Sequence, residues 1–324
     1  MLDEIDSLVG PELLQIRSII RSGTNSKTGI ISKVILNLIG AGGKNIRPKL
    51  AILSSRIFGY QGNKNLYLAS AVELVHNATL LHDDVIDEGE ARRGAKTANK
   101  IWGNKTSILV GDLLLSQALQ HMTKAQDLQA LEILAKAAGE ISSGEIKQLE
   151  YSSNIEITIE QYIEIITAKT AALLSAACEM GAAIAAAAPE QQEALRDYGL
   201  NLGIAFQIID DVLDYSGSKQ QTGKKIGNDF YNQKITIPAI LALQNATPEE
   251  KEFWRKAIAK KQNLDNSDLQ LALKYLQNHQ AIQKSICIAT EYADRAKNNL
   301  CNLPDNEYSK ALSSILDFVI KRTF

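Results

Sequence analysis

The chain has 324 residues, 45% hydrophobic and 6% aromatic, with a formal net charge of -2. It is long enough to bury a sizeable core, and its dispersed, balanced charges exclude the basic footprint of a nucleic-acid binder. The three cysteines, Cys178, Cys287 and Cys301, form no CxxC or CxxH pattern; this excludes a disulfide framework and a zinc site, and they read as reduced, buried thiols.

Long runs of Ala, Leu, Ile, Glu, Lys and Gln, with only six prolines and no sustained period-two alternation, predict an all-α fold. Punctuation by Gly, Pro, Asn and Ser places helices at about 2–21, 29–38, 47–58, 66–88, 107–122, 126–151, 159–187 and 189–215, then 235–243, 248–259, 267–276, 282–300 and 307–322. Residues 1–10 carry Asp3, Glu4 and Asp6 and no basic-then-apolar leader pattern, so no targeting peptide is expected and a cytoplasmic location follows. The most apolar stretch, 170–189, is alanine-rich and interrupted by Glu179, which reads as an internal helix and not a membrane span. Residues 216–229 contain three glycines and several lysines and read as a mobile loop. No composition break marks a linker, so residues 1–324 are expected to form one domain.

Two segments stand out. Asp83-Asp84-Val85-Ile86-Asp87 and Asp210-Asp211-Val212-Leu213-Asp214 share the spacing DDxxD. Val72, Leu74, Val75, Leu80 and Leu81 precede the first, and Ile204, Phe206, Ile208 and Ile209 precede the second, so neither sits on a polar surface helix. Buried carboxylates cost several kcal/mol unless a cation compensates them. On a helix, residues four apart lie about 40° from one another, so Asp83 and Asp87 share a face, as do Asp210 and Asp214. All-oxygen ligation of this kind suits Mg²⁺ shared with a substrate's phosphates.

The basic residues complete the pattern. Gly42-Gly43-Lys44-Asn45-Ile46-Arg47-Pro48 offers close backbone approach, a helix N-terminus and two cations to an anion, which reads as a diphosphate pocket. Arg92-Arg93-Gly94 follows the first aspartate motif; Lys169-Thr170, Lys224 and Lys234 accompany the second.

Taken together with Leu80-Leu81-His82, Gly144-Glu145 and Phe206-Gln207, these motifs resemble the trans-isoprenyl diphosphate synthases from about Gly42 to Pro238, most closely the bacterial long-chain, octaprenyl-type members. The resemblance implies an isoprenoid-synthase helical bundle around a central cavity. It implies three Mg²⁺ ions bound with an allylic diphosphate by Asp83, Asp84, Asp87, Asp210, Asp211 and Asp214. Arg92, Lys169, Thr170, Gln207, Lys224 and Lys234 correspond to the allylic side, and Lys44, Arg47, His76 and Arg93 to the isopentenyl diphosphate pocket. The implied catalytic set is Asp83, Asp84, Asp87, Lys169, Asp210, Asp211 and Lys224. His82 and His121 read as structural. Two departures stand against the family pattern: Asn45 where arginine is common, and Gln233 where glycine usually precedes the final lysine.

Ala78 and Thr79 lie one turn before Asp83, where a growing chain would pass, and their small side chains leave a passage open for a product of about C35 to C50. Leu115, Leu119 and Met122 are candidates for its floor. The expected substrates are isopentenyl diphosphate and an allylic primer such as farnesyl diphosphate, with the product destined for quinone side chains. A homodimer, transient membrane contact for product release and no nucleic-acid partner are expected. A non-catalytic subunit of a heteromeric synthase and a class I terpene cyclase are the alternatives; six intact aspartates weigh against the first, and a second diphosphate pocket against the second.

Overall fold

The computed structural model describes residues 2–23, 29–40, 44–92, 94–152, 154–216, 226–259 and 264–322. The apolar stretches are helical: α1 (Leu2–Gly23), α2 (Gly29–Gly40), α3 (Ile46–Arg56), α4 (Lys64–Ile86), α5 (Ala98–Trp102), α6 (Asn104–Ala125) and α7 (Leu128–Glu150). They continue as α8 (Ile159–Ile166), a π-helical turn (Thr167–Ala171), α9 (Ala172–Ile184), α10 (Pro189–Ser216), α11 (Asn228–Tyr231) and α12 (Ile237–Gln244). The last are α13 (Pro248–Ala259), α14 (Asn266–Asn278), α15 (Ala281–Asn299) and α16 (Glu307–Lys321).

Several details depart from the sequence reading, among them the unpredicted short helices α5 and α11. A ribbon of β1 (Ala91–Arg92) and β2 (Ala95–Lys96) pairs antiparallel, with Gly94 at φ 80° turning the chain between them. Two-residue strands are too short for an alternation signal to reveal. The helix predicted over 159–187 runs continuously from Ile159 to Ile184 but widens into a π turn at Thr167–Ala171. Only Cys178 is buried; Cys287 and Cys301 are exposed, and all three are free. Ile159–Ile184 is long and apolar enough to cross a membrane, but 72% of its most apolar window is buried in the fold, as befits a core helix.

The packing gathers into two compact units. The first comprises Met1–Ala138, Leu173–Gly199 and Asn299–Ile315; the second comprises Gly139–Ala172, Leu200–Asn298 and Leu316–Phe324.

In the first unit α4 is buried on nearly every side, with Leu68, Ala71, Val72, Ala78 and Leu81 fully enclosed, the pattern of a central helix. It runs antiparallel to α6. His82 Nε2 lies 3.2 Å from the Ile108 carbonyl near one end, and Ser70 Oγ lies 2.8 Å from His121 Nδ1 near the other. Both histidines therefore join α4 to α6, in keeping with a structural role. In the second unit the latter part of α10 is equally apolar, through Leu202, Ile204, Ile208, Ile209 and Val212. Gly203 brings it against the π turn, because a Cβ there would lie 2.5 Å from Ala171 Cα.

Candidate functional site

Both aspartate motifs occupy helix C-termini. Asp83 and Asp84 are in the last turn of α4 with Asp87 as its C-cap, and Asp210, Asp211 and Asp214 lie in the last two turns of α10. Carboxylates at the negative end of a helix dipole are unfavourable by about 0.3–1 kcal/mol each, so helix stability does not explain them. The arrangement calls for cations.

In the first unit the middle residue turns inward. Asp84 is 5% exposed, and Arg92 Nε and Nη2 donate to its Oδ1 at 3.0 and 2.7 Å. The ribbon makes this contact possible by folding Arg92 back toward α4. Thr97 Oγ1 ties it down on the Gly89 carbonyl at 2.7 Å, and Asn99 Nδ2 donates to the Asp84 carbonyl at 2.9 Å. A cavity of about 20 Å³, roughly the space of one water, lies beside the pair, lined in part by Leu80 and Lys96. Asp83 is half-buried and Asp87 exposed.

The second unit repeats the plan with other partners. Asp211 is also 5% exposed. Tyr162 Oη donates to its Oδ2 at 2.6 Å and Gln207 Nε2 to its Oδ1 at 2.8 Å, while Thr170 Oγ1 donates to Gln207 Oε1 at 2.9 Å. Burial, together with the charges of Asp229 and Asp210, pushes the Asp211 carboxyl well above the usual carboxylate range, although the two hydrogen bonds oppose the shift. Burial and the Asp211 charge likewise push the Tyr162 hydroxyl up. Asp210 Oδ1 lies 3.0 Å from Arg322 Nη1, and that guanidinium sits 5.1 Å over the Phe206 ring. Asp214 Oδ2 accepts the Asp229 amide and its carbonyl accepts the Gly227 amide, each at 2.8 Å, which docks α11 at the end of α10.

Lys169 projects from the π turn and forms an ion pair with Glu145 of α7. Gly144 permits that approach: a Cβ there would lie 2.8 Å from Ala168 Cβ and 2.9 Å from the Lys169 nitrogen. Lys234 is half-buried and follows Gln233, whose φ of 57° is the left-handed conformation that glycine adopts most readily.

Lys44 is exposed and Arg47 half-buried at the start of α3, where Asn45 takes φ 48°, a conformation asparagine tolerates well. His76 is half-buried and its carbonyl accepts Thr79 Oγ1 at 2.8 Å; Ala78 is fully buried. Of the floor candidates, Met122 is buried and Leu119 is 57% exposed. Gly42, Gly43, Arg93, Lys224 and most of the predicted 216–229 loop lie outside the described residues.

The structure thus gathers Asp83, Asp84, Asp87 and Arg92 in one unit, and Lys169, Thr170, Gln207, Asp210, Asp211 and Asp214 in the other. Sequence reasoning missed Tyr162, Asp229 and Arg322. Tyr162 shares an apolar face with Ile165 and Ile166 and reads as core; Asp229 and Arg322 are single charges outside any motif.

Among the described residues no three carboxylate, imidazole or thiol groups converge into a ready metal cage. The donors are nevertheless all oxygen and strongly negative, and Asp211 lies close to the charges of both Asp229 and Asp210. This set fits a hard divalent ion that takes its remaining ligands from a diphosphate and water.

The sequence pattern of the polyprenyl synthetase family matches residues 28–276. The chain belongs to this family. It is 37% identical to the octaprenyl diphosphate synthase of Escherichia coli K12 over 321 residues, 99% of each chain. Its fold is similar to that of a decaprenyl diphosphate synthase from Rhodobacter capsulatus, with a TM-score of 0.95 and 39% identity over 100% of both chains. It is also similar to a polyprenyl synthase from Caulobacter crescentus CB15 complexed with calcium and isoprenyl diphosphate, with a TM-score of 0.96 and 40% identity over 100% of this chain and 98% of the other. As a polyprenyl synthetase the chain is a trans-prenyltransferase with the helical isoprenoid-synthase fold.

Proposed function

We propose that the chain condenses isopentenyl diphosphate units onto an allylic diphosphate such as farnesyl diphosphate and releases an all-trans polyprenyl diphosphate of about C35 to C50, a length read from the small residues one helical turn below the first motif. The product would serve as a quinone side chain. The observation that carries this reading is the pairing of charges within each unit: Asp84 with Arg92 in the first, and Asp210 with Arg322 and Lys169 with Glu145 in the second. Metal-bound diphosphate can replace such pairs, because it brings both signs of charge at once.

Three Mg²⁺ ions, when bound with the allylic diphosphate, would supply the positive charge that stabilises the leaving group. Asp83, Asp84 and Asp87, and Asp210, Asp211 and Asp214, are the residues that would hold them. Asp84 and Asp211, the buried members, would also brace their neighbours from within. Arg92, Lys169, Lys224 and Lys234 would bind the allylic diphosphate oxygens, with Thr170 and Gln207 beside them. Lys44, Arg47, His76 and Arg93 would orient isopentenyl diphosphate. The C1–O bond of the primer then breaks, its C1 bonds to C4 of isopentenyl diphosphate, and the C2 proton leaves to the released diphosphate. Ala78 and Thr79 would leave room for the growing chain. Preorganised charge is the main catalytic contribution, and each missing donor should cost about 3–4 kcal/mol.

Residues 1–324 are taken as one catalytic domain, a reading supported by the family match across both units. A homodimer is supported by exposed apolar side chains on α6 and α7, with Leu109 at 67%, Leu119 at 57% and Leu128 at 84%. Polar substrates and an apolar product fit a cytoplasmic enzyme that touches membranes transiently. The test is incorporation of labelled isopentenyl diphosphate into solvent-extractable product. Incorporation should require both the allylic primer and Mg²⁺; consumption of farnesyl diphosphate alone would point to a cyclase.

A further inference from the structure

Tyr162 lies seven residues before Lys169, on α8, outside every recognised motif. The residue is 3% exposed, so its hydroxyl has little water to bond to. That hydroxyl donates to Asp211 Oδ2 at 2.6 Å, a short hydrogen bond. On the other side of the same carboxylate, the chain Thr170 to Gln207 to Asp211 fixes a single direction of donation. Thr170 occupies Gln207 Oε1 at 2.9 Å, so the Gln207 amide must present Nε2 to Asp211 Oδ1, at 2.8 Å. Three segments, α8, the π turn and α10, are therefore locked to one carboxylate.

Helical geometry gives the consequence. Asp210 and Asp214 lie about 100° and 60° around the helix from Asp211. A clamp on Asp211 therefore sets the rotation of the last two turns of α10, and with it the direction in which Asp210 and Asp214 face. A phenylalanine would pack as well as the tyrosine but leave Asp211 Oδ2 buried without this donor.

We propose that Tyr162 is a positioning residue for the second aspartate motif, clamping Asp211 so that Asp210 and Asp214 are held ready for a metal-bound diphosphate. The proposal rests on the prenyltransferase reading above. Groups that orient metal ligands from behind typically contribute 10–100-fold in metal affinity or activity.

The experiment is a calorimetric titration of Mg²⁺ in the presence of inorganic pyrophosphate, on the wild-type chain and on Tyr162→Phe, with circular dichroism to verify folding. Wild type should bind the metal with pyrophosphate. Tyr162→Phe should bind it about tenfold more weakly, and in turnover should lose kcat while the KM for isopentenyl diphosphate stays within about twofold. A folded Tyr162→Phe with wild-type metal affinity would overturn the proposal, even if it melted earlier. Absence of binding by wild type would instead overturn the functional reading beneath it. If Tyr162→Phe does not fold, 3-fluorotyrosine at position 162 keeps the ring and strengthens the donor. A changed Mg²⁺ affinity then supports the clamp, and an unchanged one overturns it.

Discussion

Arg92 and Asp84 form a forked ion pair, with Nε and Nη2 at 3.0 and 2.7 Å from one carboxylate oxygen. The β1–β2 ribbon returns Arg92 to the end of α4. Asp84 is nearly fully buried while the Arg92 side chain is 32% exposed, so the aspartate depends on the pair more than the arginine does. Arg92→Gln should lose about 1–3 kcal/mol of stability, below the cost of breaking a fully buried pair, and should lower turnover at least about tenfold. Urea unfolding and initial rates against allylic primer check both; Arg92→Lys, which keeps charge but not the fork, should fall between.

The outer aspartates should separate activity from stability. Asp83 stands half-buried at the negative end of α4, where its charge opposes the helix dipole. Asp83→Asn is expected to reduce turnover by about 100-fold or more without lowering the melting temperature. A variant that lost stability in proportion to its activity would instead make Asp83 a structural residue.

Gly144→Ala tests the seat of Lys169. The added methyl would come within 2.8 Å of Ala168 Cβ and 2.9 Å of the Lys169 backbone nitrogen, and neither atom belongs to a flexible chain end. Overpacking should cost about 1–3 kcal/mol and, by moving the π turn, raise the KM for the allylic substrate. Thermal denaturation and primer titration measure the two effects.

Stability should fall in mild acid because of His121. Burial, with Lys124 nearby, lowers its pKa from 6.5 to about 4. Between these values the unfolded chain binds a proton that the folded one does not, so this contribution is complete above pH 6.5 and is lost as pH falls toward 4. The loss amounts to at most about 3 kcal/mol. Urea midpoints at pH 7.5, 6 and 5 should decline, and His121→Gln should flatten the slope.

How much of this could be read in the sequence differs from residue to residue. The two DDxxD segments were legible because their spacing is chemical and their apolar flanks mark buried helices; α4 and α10 end where the aspartates stand. Lys169 and Gly144 were visible as motif members, but not the π turn that joins them, because a single extra backbone residue leaves no periodic trace. Tyr162 was illegible: its ring satisfies the apolar pattern of α8, and only the fold shows that its hydroxyl meets Asp211. Cys287 and Cys301 were misread as buried since cysteine is usually enclosed, yet both lie on exposed positions of α15 and the turn after it.

Mass spectrometry of the products formed from farnesyl diphosphate, isopentenyl diphosphate and Mg²⁺, with a chelated control, decides whether these aspartates and cations carry out prenyl transfer. Metal-dependent polyprenyl diphosphates of about C35 to C50 are expected, the length read from the small side chains of Ala78 and Thr79. Products ending at C15 or C20 would contradict the open passage, and no elongation at all would contradict the assignment of these aspartates and cations to prenyl transfer.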